Sequence, residues 1–201
     1  MVKNIVFDIG NVLADFKIKE FLFAKGYDEM MIKRIIKASA MSPYWGQFER
    51  AEITEDEAIK LFASQDPDIE DDLKEAFSNI EGMITGRDFA IPLVKALRDA
   101  GYRVYYLSNY SKKAYDDCKG SIEFMKYAEG GLLSFQIRMT KPDPNMYKLL
   151  LDKYQLQANE TVFVDDTKEN VDIAKELGFI GIVFESYEMM IEQFKDNGVK
   201  L

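Results

Sequence analysis

Short runs of consecutive apolar residues alternate along this chain with longer segments whose apolar positions recur every three or four residues. Asn4–Phe7, Arg103–Leu107, Thr161–Val164 and Gly181–Phe184 are the short runs, and Gly131–Phe135 is a weaker fifth. Continuous apolar character over so few residues suits strands covered on both faces, as in a parallel sheet between helices. The segments around the later runs have helical period. Asp88–Ala100 carries Phe89, Leu93, Val94 and Leu97 on one face and stops at Gly101, and Val171–Leu177 stops at Gly178. Helix, glycine, strand is half of a crossover unit, so the pattern predicts an α/β core.

The stretch from Phe16 to Gly86 differs, because it offers no strand signal. Met30, Met31, Ile35 and Ile36 keep helical spacing, as do Ile59, Phe62 and Phe77 in later segments. Thr54 with Glu57 forms a capping box that starts a helix over Glu55–Ala63. Acidic residues across Asp66–Glu75 read as a solvated helix face with its first turn. The pattern therefore predicts a helical module inserted directly after the first strand, over residues 16–86, with residues 1–15 and 87–201 forming the core. The pairs Met30-Met31 and Met189-Met190 read as core filler.

Composition narrows the chemistry. The 201 residues carry 26 Lys+Arg against 35 Asp+Glu, a net charge of −9, which speaks against nucleic acid as a partner. There is no histidine, so imidazole-based nucleophilic catalysis and imidazole zinc sites are excluded. Cys118 is the single cysteine, flanked by Asp117 and Lys119, and reads as an unreactive surface or half-buried thiol. The apolar run at Val2–Phe7 meets an aspartate at once, too early for a signal peptide, and no run is long enough to span a membrane. The expectation is a cytoplasmic protein with no membrane partner, working through carboxylates, lysines, hydroxyls, backbone groups and a hard metal ion.

Four segments fall at the C-terminal ends of expected strands or in the loops beyond, the edge where open parallel sheets bind ligands. They are Phe7-Asp8-Ile9-Gly10-Asn11-Val12, Leu107-Ser108-Asn109, Thr140-Lys141-Pro142-Asp143, and Val162-Phe163-Val164-Asp165-Asp166 followed by Asn170. Each alone has an ordinary explanation in turn chemistry, helix capping or the helix dipole. Together they complement one another. An aspartate supplies an oxygen nucleophile, a hydroxyl and an amide hold phosphoryl oxygens, a lysine offsets negative charge, and an acidic pair binds a hard cation.

In order and spacing these motifs resemble the haloacid dehalogenase-like superfamily, over nearly the whole chain. The chain resembles the branch that includes bacterial α-glucose-1-phosphate phosphatases and the phosphatase domains of soluble epoxide hydrolases. The segment Phe48-Glu49-Arg50-Ala51-Glu52-Ile53-Thr54 looks like a stretch of that branch's cap. The resemblance implies a Rossmann-like parallel-sheet core with a small helical cap inserted after the first strand. It implies Mg²⁺ as cofactor and a small phosphorylated metabolite as substrate, with Asp8 as the nucleophile that becomes an aspartyl-phosphate. Metal ligands would be Asp8, the Gly10 carbonyl and Asp166, with Asp165 either a supporting partner or the alternative ligand. Ser108 and the Asn109 backbone would hold phosphoryl oxygens, and Lys141 would neutralise charge between nucleophile and phosphate.

One position departs from the family. Most of its phosphatases carry a second aspartate, the general acid and base, where this chain has Gly10. A missing proton donor penalises poor leaving groups, so the expected substrate is a sugar phosphate with anomeric or acyl esters preferred. Asp15 and the cap carboxylate Glu49 are the residues that could replace the donor. Trp45 and Tyr44 read either as cap core or as substrate-facing rings, and Tyr110 as mouth or packing. Two other readings stand beside the phosphatase, expected as a monomer or weak homodimer. Gly10 suits a catalytically weak binding or regulatory protein. A response-regulator receiver domain would place its acidic pair after the first strand and carry no helical insertion, which this order opposes.

Overall fold

The apolar runs become strands of one sheet. The computed structural model describes residues 1–201. Its strands are β1 (Asn4–Phe7), β2 (Ala14–Phe16), β3 (Ile84–Gly86), β4 (Arg103–Ser108), β5 (Gly130–Leu133), β6 (Thr161–Asp165) and β7 (Ile180–Val183). Five of them form a parallel sheet in the order β5-β4-β1-β6-β7. Its two faces explain the unbroken apolar character. Ile5, Phe7, Val162 and Val164 pack on one side, and Val6, Leu107 and Phe163 on the other.

The helices are α1 (Ile18–Ala24), α2 (Glu29–Ala38), α3 (Trp45–Glu49), α4 (Glu55–Ala63), α5 (Glu70–Ser78), α6 (Ala90–Asp99), α7 (Lys112–Asp117), α8 (Ser134–Ile137), α9 (Pro144–Tyr154), α10 (Lys168–Glu176) and α11 (Tyr187–Asp196). Leu93, Val94 and Leu97 of α6 and Phe194 of α11 cover the Ile5 face. Met146, Tyr147 and Leu150 of α9 and Val171 of α10 cover the Val6 face. The fold is thus a Rossmann-like α/β sandwich. The Thr54–Glu57 capping box opens α4 with both reciprocal bonds formed.

Sheet order determines where the motifs meet. β1 is central, with β4 on one side and β6 on the other; Phe7 lies level with Tyr106 and Val164. Asp8, the residue just beyond β1, and Ser108 and Asp165, the last residues of β4 and β6, are therefore brought to one edge. The Asp8 N–H donates to the Val164 carbonyl at 2.8 Å, continuing the ladder one residue past β1.

Several expectations need correction. The stretch 16–86 was expected to contain no strand, yet its two ends pair as an antiparallel ribbon, with Asp15 opposite Thr85 and Phe16 opposite Ile84. Three-residue strands are too short to show an alternating pattern. Between β2 and β3 the chain is helical, α1 to α5 plus a 3-10 turn at Pro67–Ile69 that splits the acidic run. The expected strand at Gly131–Phe135 ends at Leu133, because Ser134 begins α8. Met30 and Met189 are exposed, not core, while Met190 is buried. Cys118 is buried rather than on the surface; its thiol lies 3.2 Å from the Ile80 carbonyl, and burial pushes its pKa up, which keeps it inert.

Gly131 on β5 gives a test of the sheet edge. A Cβ there would stand 2.3 Å from the Tyr106 carbonyl oxygen of the neighbouring strand, whereas one at Gly120 would meet nothing within 4 Å. Gly131→Ala should lower stability by about 2–4 kcal/mol in urea unfolding, and Gly120→Ala by no more than about 0.5 kcal/mol. Equal effects would contradict the close β4–β5 approach.

Candidate active site

Asp8, Lys141 and Asp165 form the buried centre of the strand-end edge. Lys141 Nζ lies 2.8 Å from Asp8 Oδ1 and 2.6 Å from Asp165 Oδ2, with side-chain exposures of 1%, 11% and 0% in that order. Asp8 Oδ1 also accepts the Ile9 N–H at 2.7 Å, which orients the carboxyl and leaves Oδ2 outside this clamp. Burial pushes the Asp8 carboxyl up to about 6, Lys141 pulls it back and Asp165 pushes it further. Burial disfavours the Lys141 charge, but the two carboxylates outweigh that and raise its pKa overall. Lys141 therefore stays an ammonium.

Asp165 has no free capacity. Its Oδ1 accepts from the Thr167 N–H and Asn170 Nδ2, and its Oδ2 from Lys141 and Asn170. Asp166 is only half-buried, with Oδ2 accepting from Asn11 Nδ2 at 3.0 Å. The carboxylates of Asp8, Asp165 and Asp166 lie within 4.8 Å of one another. Three carboxylates against one ammonium leave two negative charges unmatched, and an all-oxygen set of that charge suits a hard divalent cation such as Mg²⁺. At Gly10 nothing lies within 4 Å of where a side chain would start, so the carbonyl's surroundings are open.

Ser108, at the end of β4, is buried, and its hydroxyl helps hold the Asp8 charge. Asn109 has a role beyond its backbone. Its Oδ1 accepts the Lys141 N–H at 2.8 Å and its Nδ2 donates to the Lys141 carbonyl at 3.1 Å, so one side chain fixes the lysine's backbone on both sides. The Lys141–Pro142 peptide is cis. Motif reading gave no role to Asn11 or Thr167, though both lie beside named motif residues. Arg50 lies in the cap stretch already singled out, again without a role, and Ser134 lacked any such signal.

Above Asp8 lies a cavity of about 200 Å³, lined by Asp8, Gly10, Asp166 and Asn109 of the core and by Phe16, Trp45 and Glu49. A larger cavity of about 310 Å³ between α4, α5 and α7 contains none of the motif residues. Trp45 does both things expected of it as alternatives: it lines the cavity and packs against Phe48, Phe62 and Phe77 with ring centroids 5.7–6.3 Å apart. Tyr44 packs against the core and does not line the cavity. Tyr110 lines it while buried, its hydroxyl 3.3 Å from Ser121 Oγ, and burial pushes the phenol up to about 12.

Two carboxylates were candidates for the missing proton donor, and the structure separates them. Asp15 lies on the hinge ribbon, 2.7 Å from Arg87 Nε and 3.2 Å from Lys17 Nζ, outside the Asp8 cavity. Burial raises its pKa, but these cations lower it overall, the wrong direction for an acid. Glu49 lines the cavity, where burial pushes its carboxyl up to about 7 with the Trp45 indole pulling back.

The chain is similar to known proteins over most of its length. Residues 2–178 match the family model for haloacid dehalogenase-like hydrolases. A sesquiterpene phosphatase from Aspergillus oryzae is 26% identical over 180 residues, covering 90% of this chain and 88% of the relative. D-ribitol-5-phosphate phosphatase from Bacteroides thetaiotaomicron is 28% identical over 195 residues, covering 89% and 90%. The chain spans only 36% of a third relative, a drimenol cyclase from Aspergillus calidoustus, at 24% identity over 96% of this chain. A Bacteroides thetaiotaomicron enzyme of this family, solved with magnesium and inorganic phosphate, superposes with a TM-score of 0.72 at 22% identity, over 94% of this chain and 99% of the other. No helix is long and apolar enough to cross a membrane.

Two outcomes follow from the electrostatics. Lys141→Ala would leave two carboxylates buried without their cation and should cost about 3–5 kcal/mol, measured by denaturant unfolding. An Asp8→Asn protein keeps the Lys141–Asp165 pair and should lose far less. Glu49 gives a pH signature. A carboxyl raised from 4.5 to about 7 on folding contributes stability that is fully present below pH 4.5 and lost as pH rises through 7. Without divalent cation, Glu49→Gln should match the parent's unfolding temperature near pH 4 and exceed it by about 5 °C at pH 9. A constant difference between pH 4 and pH 9 would contradict the raised carboxyl.

Proposed function

The chain belongs to the haloacid dehalogenase-like hydrolase family, and from that premise we propose that it is a Mg²⁺-dependent phosphatase of a small phosphorylated metabolite, plausible substrates being sugar or polyol phosphates. One observation carries the reading: Asp8, oriented by Lys141 and Ile9, sits beside Asp166 at the floor of a cavity. The likeness to two phosphatases supports the reaction class. A cavity of about 200 Å³ supports a small substrate, since pockets for larger ligands run from about 300 Å³ upward.

In this reading an Asp8 carboxylate oxygen attacks phosphorus, the ester oxygen departs, and water then cleaves the aspartyl-phosphate. Lys141 offsets the repulsion between carboxylate and phosphate, and the Ser108 hydroxyl with the Asn109 backbone holds non-bridging oxygens. Asp8, Asp166 and the Gly10 carbonyl would hold Mg²⁺. Asp165, whose oxygens are already engaged, orients Lys141 instead of ligating. The cation, when bound, supplies charge neutralisation at the phosphoryl group. Gly10 keeps a second reading in view, a family member that binds a phosphorylated compound without turning it over.

Phosphate release from a panel of phosphometabolites separates the two. The expected result is turnover of at least one compound with Mg²⁺, abolished by a chelator and reduced to background in Asp8→Asn with its fold intact. Asp166→Asn should mainly raise the Mg²⁺ concentration needed. Chelator-resistant activity, or full activity in Asp8→Asn, would refute the mechanism; tight binding without release would favour the second reading.

A further inference from the structure

We propose that Glu49, presented by α3 into the cavity above Asp8, is the general acid and base of this enzyme, doing from the cap what the Gly10 position cannot. The assignment rests on the phosphatase reading above and adds to it the source of the proton.

The cavity has three carboxylates, and two are committed. Asp8 is bound to Lys141 and Ile9, and Asp166 is bonded by Asn11 and approached by Thr167. Glu49 is the third, and no cation pairs with it. Its neighbour in the chain, Arg50, makes a two-pronged pair with Glu52 instead, through Nε and Nη2, each at 2.9 Å. A carboxyl without an ion pair, in a cavity whose lining includes Phe16, Trp45 and Ile84, is a group kept able to give and take a proton.

Its backbone is also anchored to the catalytic edge. Ser134 Oγ lies 2.7 Å from the Glu49 carbonyl, and the same oxygen accepts the Tyr110 N–H at 2.8 Å, two residues beyond Ser108. Arg50 Nη1 donates to Thr140 Oγ1, the residue before Lys141. Two loops that carry site residues thus hold the end of α3 from either side. The Trp45 ring, one turn earlier, is packed among Phe16, Phe48, Phe62 and Phe77. Positioning of this kind is what a proton-transfer group needs, because geometry precedes pKa in general acid catalysis.

The charged and titratable groups around Glu49 are Asp8, Asp166 and Tyr110 across the cavity, Lys141 beneath, and Arg50 beside it. Burial and the Asp8 charge push the carboxyl up, Lys141 and Arg50 pull it down, and the result is a group at about 7. It is therefore substantially protonated near neutral pH. In the first step an Asp8 oxygen bonds to phosphorus, the P–O bond to the leaving group breaks with its electron pair on that oxygen, and the Glu49 proton moves to it. In the second, water bonds to phosphorus, its proton returns to Glu49, and the P–O bond to Asp8 breaks. The ester and one water become an alcohol and phosphate, and both carboxyls are restored.

This changes the expected substrate range. Gly10 alone would favour anomeric or acyl phosphates, whose leaving groups are less basic than a primary alkoxide. With Glu49 as donor, esters of ordinary primary alcohols come within reach.

The test uses the full-length protein with saturating Mg²⁺ and measures kcat/KM for a series from dinitrophenyl phosphate through phenyl phosphate to an alkyl phosphate, under conditions where phosphoryl transfer limits the rate. Glu49→Gln should lose about 100-fold or more on phenyl and alkyl esters but less than about 5-fold on the dinitrophenyl ester, whose leaving group needs no proton. The fall of kcat/KM at alkaline pH should vanish in Glu49→Gln and persist in Glu49→Asp. Adding Gly10→Asp to Glu49→Gln should recover at least tenfold on phenyl phosphate, because the space at Gly10 is open. A loss uniform across the series would make Glu49 a structural residue and overturn the proposal, as would no loss or an unchanged alkaline limb. If the unmodified protein turns over no ester in the series, even the dinitrophenyl one, the phosphatase reading itself falls, a result distinct from these.

Discussion

Everything at the catalytic edge depends on a single buried ammonium. Lys141 sits between two carboxylates, almost wholly out of water, where an unpaired charge would cost several kcal/mol. Such a charge is tolerated only if its geometry is held, and the surrounding bonds hold it. Asn109 fixes the lysine's backbone from the end of β4, and Thr167 and Asn170 saturate Asp165 at the start of α10. Segments around Asp8, Asn109 and Asp165, far apart in sequence, are thereby tied to one lysine.

The sheet makes this arrangement possible. Placing β1 between β4 and β6 brings three strand ends together, so Asp8 has a hydroxyl on one side and an acidic pair on the other. The strand order, more than any individual contact, explains why three of the four short motifs meet at one edge. It also explains why the motifs were legible in the sequence. Apolar runs ending in Asp8, Ser108 and Asp165 announce strand ends, and strand ends of a parallel sheet are where ligands bind.

Other features were not legible, for identifiable physical reasons. The β2–β3 ribbon is too short for a period, and its pairing joins residues about seventy positions apart. Met30 keeps helical spacing but lies on the outer face of α2, which local pattern cannot distinguish from the inner one. Cys118 has charged neighbours in sequence, yet the end of α7 is packed beneath the cap-side loop at Ile80. The contrast between Asp15 and Glu49 is the same lesson in electrostatic form. Both stood as possible proton donors, and only tertiary placement put one between two cations and the other in the cavity above Asp8.

Charge balance gives that contrast its meaning. The floor of the cavity already carries two negative charges beyond what Lys141 matches, about what one divalent cation would offset. A phosphate ester brings further negative charge into the same space. Another ionised carboxylate above it would repel the substrate at close range in a poorly screened cavity. A neutral carboxyl would not, and it could donate a hydrogen bond to the ester oxygen as well. Burial of Glu49 in a cavity lined in part by Phe16, Trp45 and Ile84, while Arg50 is occupied by Glu52, keeps that carboxyl from ionising early. The apolar side of the cavity therefore does electrostatic work: by limiting the hydration of one carboxyl that has no counter-ion, it lets an acidic site accept an anion.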